Sequence, residues 1–520
     1  MVVERRGLRM DPWLGAILII AALARMEDLT QPLVDAFSWR ESSTAMMADN
    51  FQTRSWNVLY PEVSWTGPGP SYQGREFQIV SYLAALLYQI FGWHDWFGRL
   101  IGAAFGTLTV FFLYKLTERV WGIWDARAAA FVLSILPGAV FIDRSYLPDP
   151  AMLTLITAGV WLFCKYADSK RLIWLIFSCV SLTLGVLAKL PGIAIAIPLI
   201  YVLVERISSK PPGIRLNNVM AVAFFGLVSL AGVFAYYAWA IYIGKNYPPY
   251  HVAGSGYLWS DGLPYYVSRW FLIPELFSLT TLWYMTFPFL VLSAIGLMHG
   301  PPRLQEQAPT TGRWLFHAWL FGAFLVFLFA AREIVTNPWN LHVFSVPLAA
   351  FAGRGLIVAT GLQDPDLTKF KAMARIGVAA LFLLLLGSRP ALDYLKTPYA
   401  YAGYELGTEL SALTKPGELI IAVSSTVGDP VAIYYSRRRG WVFPPGGGQS
   451  DWSVFIDDSE AIEKLRELRS QGAKWFGVTR NAKDSKGRKF FDHHKGLKAF
   501  LEKNSTQVKE SKNYVIYELK

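Results

Sequence analysis

The stretch from Asp35 to Phe51 carries ionisable side chains directly after an apolar segment. Among them are two acids, Asp35 and Glu41, and the basic Arg40. Ionisable groups beside a bilayer are costly to place there, and they commonly mark functional sites. A carboxylate in such a position can accept the proton of an attacking hydroxyl group. The pattern nominates Glu41 and Asp35 as catalytic carboxylates, with a water-facing interfacial helix as the alternative.

A second polar group lies between two apolar segments, at Asp143–Pro150. Its prolines keep the backbone out of helix and let the chain turn back. Arg144 can bind a phosphate through two hydrogen bonds, and Asp149 adds a third candidate carboxylate. The alternative is that Arg144 and Asp149 form an ion pair that caps the following helix.

Three further side chains are candidates for binding a substrate. Lys189 lies between two apolar segments, where it can neutralise a phosphate or extend towards lipid headgroups. His342 opens a late apolar segment, and a single histidine does not make a zinc site, which needs three or four ligands. A hydrogen-bonded structural histidine is the alternative. Glu76 can pair with Arg75, interact with a helix N-terminus or line a cavity.

The composition indicates how these residues are positioned. The chain has 520 residues, of which 53% are hydrophobic and only 17% are charged, whereas a soluble domain carries about 25% charged residues. Several apolar segments reach the ~20 residues needed to cross a bilayer. Cys164 and Cys179 both lie inside such segments, which argues against a disulfide framework or a metal site. The sequence therefore predicts a polytopic α-helical membrane protein.

The loop charges predict the topology. Basic residues cluster in alternate short loops, as the positive-inside rule requires, so the net charge of +11 does not indicate nucleic-acid binding. The bias fits best if the short segment Phe77–Phe91, about 22 Å long as a helix, lies in the interface instead of crossing. This gives eleven spans with the N-terminus inside, near residues 12–27, 98–114, 127–142, 150–166, 171–188, 190–204, 218–243, 278–298, 314–331, 341–359 and 373–388.

This topology places the polar candidates on one side of the membrane. The expected outer segments are Asp35–Arg75, Asp143–Asp149, Lys189, 244–277 and Arg332–His342. Residues 1–389 form the expected transmembrane domain, with an outer loop at 28–97. Residues 390–520 alternate strand and helix patterns, which predicts a small α/β domain outside the membrane.

Within that domain, strands are expected at 418–424, 474–479 and 513–519, and helices at 459–471 and 494–503. A glycine-rich turn at 444–448 lacks the following Lys-Ser/Thr of a phosphate-binding loop.

Four segments together resemble the dolichyl-phosphate-mannose protein mannosyltransferase family and its bacterial relatives in glycosyltransferase family 39, which include the lipid A aminoarabinose transferases. The similarity covers roughly residues 10–390. It is most specific at Trp39–Phe51, at Glu76 with the helix to Gly92 and Arg99, at Arg144 with Tyr146, Pro148 and Asp149, and at Asn340–Phe344.

The resemblance implies the GT-C membrane fold, a polyprenyl-phosphate sugar donor and inverting transfer on the periplasmic or lumenal side, in a bacterial inner membrane. Glu41 matches the second acid of the family's Asp-Glu pair, and Arg40 replaces the first, which leaves the base open between Glu41 and Asp35. Asp149 is implied to be a cavity carboxylate. Arg144 and Lys189 are implied to bind phosphate, with Arg40, Glu76, Tyr146 and His342 as further substrate-side residues.

Other features are left open by the resemblance. The acceptor can be a protein, a glycolipid or a polysaccharide. No ligand cluster for a metal is visible in the sequence, although a divalent cation at the donor phosphate is compatible with it. A transporter or flippase of a lipid-linked substrate is the alternative function, because Pro137-Gly138 and Pro191-Gly192 interrupt apolar segments.

Overall fold

The computed structural model describes residues 11–208, 216–252, 284–302, 312–362, 367–425, 428–445, 457–483 and 489–520. Several predicted features fall partly outside these residues. They are the loop 244–277 beyond residue 252, the span 278–298 before residue 284, the side chains at 332–336 and 338, and residues 446–448 of the glycine-rich turn.

The first three quarters of the described chain are helical. The helices are α1 (Pro12–Met26), α2 (Ser38–Thr53), α3 (Ile79–Phe91), α4 (Phe97–Trp121), α5 (Ile123–Ile135), α6 (Pro137–Asp143), α7 (Asp149–Ser169), α8 (Leu172–Ala188), α9 (Ala196–Ser208), α10 (Leu216–Asn246), α11 (Thr286–His299), α12 (Leu315–Thr336), α13 (Ser345–Thr360), α14 (Lys369–Phe382) and α15 (Arg389–Leu395). Short 3₁₀ segments precede α9 and α13, at Leu190–Ile195 and Pro338–Phe344.

Six helices in the described part are long and apolar enough to cross a membrane, and a seventh span results if α5 and α6 count as one. Those two helices meet at an angle of 64°, where Pro137 begins α6 and cannot continue the hydrogen bonding of α5. Four shorter apolar helices, α1, α8, α11 and the first part of α12, fall where the sequence predicts spans. The chain is therefore a polytopic helical membrane protein, and the number of eleven spans stays a prediction.

Helix α3 buries a face made mainly of small residues and exposes a mostly apolar face. Ser81 and Ala85 are buried, and the Ser81 hydroxyl donates to the Thr44 carbonyl of α2 at 3.0 Å. Leu86 and Ile90 are exposed on the other face. An exposed apolar face fits a helix that touches lipid, and with 13 residues it is short for a span.

The last part of the chain folds around a five-stranded sheet. Its elements are α16 (Tyr401–Leu413), β1 (Leu419–Val423), α17 (Val431–Ser436), β2 (Gly440–Val442), α18 (Asp458–Ser470), β3 (Ala473–Thr479), α19 (Phe490–His493), α20 (Lys495–Asn504), β4 (Ser505–Glu510) and β5 (Tyr514–Leu519). The strand order is β2-β1-β3-β5-β4. Strand β1 is parallel to β2 and β3, and β5 is antiparallel to β3 and β4. The three strands and two helices expected from the sequence are all present.

The sheet is joined to the polypeptide between α2 and α3. Residues 64–67 run antiparallel to β2, with Gly440 N donating to Ser64 O at 3.0 Å and Gly67 N donating to Gly440 O at 2.7 Å. Arg439 adds an ion pair with Glu62 at 2.6 Å. Helix α17 packs against α2. This strand addition fixes the sheet beside the helix that carries the first group of candidate residues.

We expect Gly67→Ala to weaken this junction. Gly67 has a φ of +106°, and a Cβ atom there would lie 2.7 Å from the indole nitrogen of Trp441. Backbone strain of this kind costs about 1–3 kcal/mol, so the apparent Tm of the purified protein should fall by several degrees. Gly69→Ala is the control, because a Cβ atom at Gly69 meets nothing within 4 Å. Equal Tm values for the two variants would show that this contact does not hold the junction.

Candidate functional site

Helix α2 is polar in sequence and yet buried in the structure. Arg40, Glu41, Ser42 and Ser43 are all buried. The stretch is thus a helix that begins at Ser38, and the alternative of a Glu41 that faces water is wrong because its side chain is 0% exposed. A buried charge is unfavourable unless a partner of opposite charge compensates it.

The partner of Glu41 is Arg99, at the start of α4. Arg99 Nε and Nη2 donate to the two carboxylate oxygens of Glu41 at 3.1 and 2.8 Å, and Nη2 also donates to Asp35 at 2.8 Å. Arg144 Nη1 donates to the same Asp35 oxygen at 3.1 Å. These four residues, here named the Arg99 cluster, balance two carboxylates against two guanidinium groups, and each is at most 1% exposed.

The Arg99 cluster is also tied to the backbone around it. Arg99 Nη1 donates to Gln31 O at 2.6 Å, and Arg144 Nη2 donates to Asp28 O at 3.0 Å. The backbone N–H of Tyr146 donates to Glu41 at 2.7 Å, while the Tyr146 hydroxyl lies 3.2 Å from that of Tyr88. The cluster therefore joins the α1–α2 connection, α2, α4 and the turn between α6 and α7.

Asp149 and Lys189 form a second buried pair. Lys189 Nζ donates to both carboxylate oxygens of Asp149, at 2.7 and 2.8 Å. The expected alternative of an Arg144–Asp149 pair is not what the structure has, because each residue pairs elsewhere. Lys189 also lies 5.8 Å from the ring centroid of Trp339, which packs edge-on against Phe37 at 4.9 Å. The rings of Trp339 and Phe37 thus connect the Lys189–Asp149 pair to the start of α2.

Arg40 and Glu76 form a third ion pair. Glu76 does not pair with its neighbour Arg75, as one expectation had it. Phe77 N donates to Leu187 O at 2.8 Å. This bond holds Glu76, the residue before Phe77, near the end of α8 and therefore near Lys189. The three pairs therefore lie around the first turn of α2.

His342 belongs to a separate network. One ring nitrogen lies 2.9 Å from Asp143 and the other lies 3.1 Å from the Ser345 hydroxyl. Arg25 also bonds Asp143, at 2.9 and 2.7 Å, and all of these side chains are buried. This geometry matches the structural alternative for His342. Among the residues described, no group of three or more His, Cys, Asp or Glu is placed to hold a metal ion.

Sequence reasoning did not single out Arg99 as the partner of Glu41 and Asp35, or Arg25 as the partner of Asp143. Arg99 entered only through a family resemblance, although an arginine at the start of an apolar segment is a signal in itself. Arg25, near the end of the first apolar segment, carried the same signal. The sequence does not show with which acid either arginine forms an ion pair.

Burial also changes proton affinities in α2. Burial raises the pKa of Glu41, with a contribution from nearby Asp35, although Arg99 opposes the shift. Burial raises the pKa of Asp49 to about 7, against the opposing effects of Arg437 and of the hydrogen bond from Trp93. The Trp93 indole donates to Asp49 at 2.8 Å, and Arg437 stacks over the same ring at 4.3 Å.

Replacing Arg99 by methionine should strongly destabilise the protein, because two buried carboxylates would then share only Arg144. Breaking a buried ion pair from one side costs about 3–5 kcal/mol. Arg389→Met is the matched control: its pairs with Glu27 and Asp393 are exposed, and such pairs contribute about 0–1 kcal/mol. Thermal unfolding in detergent measures both. Similar losses in the two variants would contradict a central role for Arg99.

Asp49→Asn should flatten the dependence of stability on pH. The unfolded carboxyl has its ordinary pKa of 3.8 and the folded one a pKa of about 7, so the folded state binds more protons between these values. The stability of the parent should therefore fall as pH rises through this window. We expect the apparent Tm of Asp49→Asn to exceed that of the parent at pH 8, and the exposed Asp393→Asn to show no such gain. An unchanged slope in Asp49→Asn would assign the pH dependence to other groups.

Known proteins match the chain in part of its sequence and in nearly all of its fold. Residues 78–239 match the dolichyl-phosphate-mannose-protein mannosyltransferase family. Two Bacillus subtilis proteins with provisional names as mannosyltransferases, YycA and YkcB, are 26% and 29% identical over 135 and 136 residues. These matches cover about a quarter of this chain, 25% and 26%, and about a fifth of each relative, 20% and 19%.

Solved structures cover far more of the chain. ArnT from Cupriavidus metallidurans, solved with undecaprenyl phosphate, has a TM-score of 0.63 at 13% identity. The match covers 97% of this chain and 98% of the ArnT chain. The oligosaccharyltransferase of Archaeoglobus fulgidus has a TM-score of 0.60 at 14% identity and covers 89% and 68%. At this identity the similarity establishes the fold. The chain is a polytopic membrane protein with the GT-C fold, similar to the protein mannosyltransferases.

Proposed function

We propose that this protein is a membrane glycosyltransferase that moves a sugar from a polyprenyl-phosphate donor to an acceptor hydroxyl, with inversion at the anomeric carbon. One observation carries the proposal. In this GT-C fold, the hydrogen bond from Phe77 N to Leu187 O brings the Arg40–Glu76 pair of α2 towards the Lys189–Asp149 pair at the end of α8. Cations for a phosphate and carboxylates for a proton are thus available at one place.

An apolar groove that reaches Val186, three residues before Lys189, suits an isoprenoid chain. It lies among α7, α8, α9 and α10, has a volume of about 240 Å³, and its wall includes Val186, Ile193, Leu199 and Val233. Val186 precedes Lys189 on the same stretch of chain. A lipid tail in this groove would bring its phosphate towards Lys189.

Lys189 is the proposed ligand of the donor phosphate. Its ammonium group holds Asp149 in the structure, and the phosphate would compete with that carboxylate for the same cation. When the bond from the anomeric carbon to the phosphate breaks, the phosphate gains charge, and a nearby cation stabilises it. Among the described residues no cluster of protein ligands is placed to hold a metal, so any divalent cation is proposed to arrive with the donor phosphate.

Glu41 and Asp35, nominated as bases from the sequence, have a positioning role that their contacts support. Both hold Arg99, and Asp35 also holds Arg144, so together they fix the start of α2. Arg144 is thereby engaged with a carboxylate in the cluster, as Lys189 is with Asp149. We propose that the cluster sets the direction in which Arg40, the residue before Glu41, leaves the helix.

The reaction is proposed to take place outside the cytoplasm, in a bacterial inner membrane. The positive-inside distribution of Lys and Arg supports this side for α2 and for the C-terminal sheet. The sheet covers α2 through α17 and residues 64–67, so an acceptor, whether protein, glycolipid or polysaccharide, would meet it near the site.

Lys189→Met tests the proposal. Membrane vesicles that contain the protein receive polyprenyl-phosphate mannose labelled in the sugar, and the label is followed into protein, glycolipid and polysaccharide fractions. We expect the variant to transfer label about 10²–10³-fold more slowly, the usual cost of one lost contact to developing charge. Lys165→Met is the control. Lys165 contacts Trp161 and Trp174, and it lies about 24 Å along α7 from Asp149, the partner of Lys189.

Two results would contradict the proposal. One is transfer by the Lys189→Met variant at the rate of the parent protein. The other is movement of intact labelled lipid across the vesicle membrane without transfer of the sugar, which would favour a flippase. Addition of EDTA to the parent reaction measures any dependence on a divalent cation.

A further inference from the structure

We infer that Glu76 accepts the proton of the acceptor hydroxyl in the proposed transfer. The inference rests on the proposed function and names a residue that neither the family motifs nor the acidic stretch around Glu41 marks as the base. The carboxylates around the first turn of α2 differ in their exposure and in their hydrogen bonds.

Every oxygen of the three carboxylates nominated from the sequence accepts at least one hydrogen bond, the weakest of them from Phe37 N to Asp35 Oδ1 at 3.4 Å. Glu41 accepts three hydrogen bonds, two from Arg99 and one from the Tyr146 backbone. Asp35 accepts from two guanidinium groups, and both oxygens of Asp149 accept from Lys189. A general base must come within hydrogen-bond reach of the proton that it takes. These side chains are 0–1% exposed, so a substrate hydroxyl would first have to break buried ion pairs.

Glu76 differs in both accessibility and bonding. One of its oxygens, Oε1, pairs with Arg40, whereas Oε2 has no hydrogen-bond partner within the described residues. Its side chain is 13% exposed. One oxygen can therefore keep the carboxylate oriented while the other receives a proton.

The backbone around Glu76 is held firmly on both sides. Phe77 N donates to Leu187 O at 2.8 Å, and Arg75 O accepts from the Tyr236 hydroxyl of α10 at 3.1 Å. Gly74 packs so closely on α10 that a Cβ atom would lie 2.0 Å from Ala240 O. Glu76 thus has a fixed position between α8 and α10, the two helices that form part of the apolar groove. A fixed position relative to the donor is what efficient proton transfer requires.

The acceptor oxygen forms a bond to the anomeric carbon while the bond from that carbon to the phosphate oxygen breaks, and its electron pair leaves with the polyprenyl phosphate. The hydroxyl proton passes to Glu76 Oε2 and later to water. Lys189 compensates the charge on the departing phosphate, and Arg40 keeps Glu76 in place.

Glu76→Gln is the direct test, in the labelled-mannose assay with the full-length protein in vesicles. We expect kcat to fall about 10²–10⁴-fold, with the KM for the donor changed less than threefold and a lower apparent Tm, because the buried Arg40 loses its ionised partner. The parent should lose kcat at low pH as one carboxylate becomes protonated. The residual activity of Glu76→Gln should lack this acidic limb, while Glu41→Gln should retain it whatever its rate.

Further variants keep the test decisive. Glu118→Gln, at a partly exposed pair with Lys115, is the control for a simple loss of charge. If Glu76→Gln does not fold, Glu76→Asp serves instead: we expect at least a tenfold lower kcat with the acidic limb retained, whereas a purely structural residue would leave kcat at the parent value. Full activity of Glu76→Gln, or an acidic limb that persists in it, overturns the inference while transfer by the parent upholds the proposed function. Absence of transfer by the parent overturns the proposed function itself.

Discussion

The rest of this site depends on one interaction, the contact of the Arg99 guanidinium with the carboxylates of Asp35 and Glu41. In a buried environment a single unpaired charge is far more costly than in water, so each member of the cluster requires the others. Arg99 contributes from the start of α4, Asp35 and Glu41 from the chain around the start of α2, and Arg144 from the turn before α7. A displacement of any of these elements would separate charges that are paired with one another. The cluster therefore fixes the relative positions of the helices around α2.

The Arg99 cluster also determines where the neighbouring residues on α2 point. Successive side chains on an α-helix point about 100° apart. Because Glu41 is directed to Arg99, Arg40 has to leave the helix in another direction, and it meets Glu76. The same helix thus carries a fully buried acid, Glu41, on its inner side and a less enclosed ion pair beside it. The buried charges hold the position of the second pair, which explains how residues with little access to substrate can still matter for the chemistry.

The sequence predicted what depends on local pattern. Long apolar segments indicated the membrane helices, and short apolar segments indicated β1, β3 and β5 close to where they lie. The sequence did not predict β2, because this strand has only three residues. It did not predict β4 either, because the sequence STQVKE is polar and exposed at the sheet edge. The pairing of residues 64–67 with β2 joins segments that are far apart in sequence, and no local pattern specifies it.

The candidate site was predictable in its members more than in its partners. Glu41, Asp35, Arg144 and Lys189 stood out because charges beside apolar segments are unusual. Which acid meets which base depends on how helices pack, and the pairs span long separations, 58 residues for Arg99 and Glu41 and 118 for Arg25 and Asp143. The sequence therefore allowed an Arg144–Asp149 pair that the fold does not form. His342 had two interpretations for the same reason, and its contacts with Asp143 and Ser345 match the structural one.

The connection between α2 and α3 links the sheet to the site. Residues near 62 and 72 pair with each other, with Val63 N donating to Ser71 O at 2.9 Å and Gln73 N donating to Pro61 O at 3.0 Å. The first strand of this hairpin, around Glu62, continues into residues 64–67, which pair with β2. The second strand ends near Gln73, three residues before Glu76. A movement of the sheet would therefore be transmitted through a short hydrogen-bonded hairpin to the Arg40–Glu76 pair. Since Tyr435 of α17 also accepts a hydrogen bond from Leu33 N and donates one to Asp95, the sheet contacts the chain on both sides of α2. The sheet is thus part of what holds the charged residues of the site in place, in addition to any contact that it makes with an acceptor.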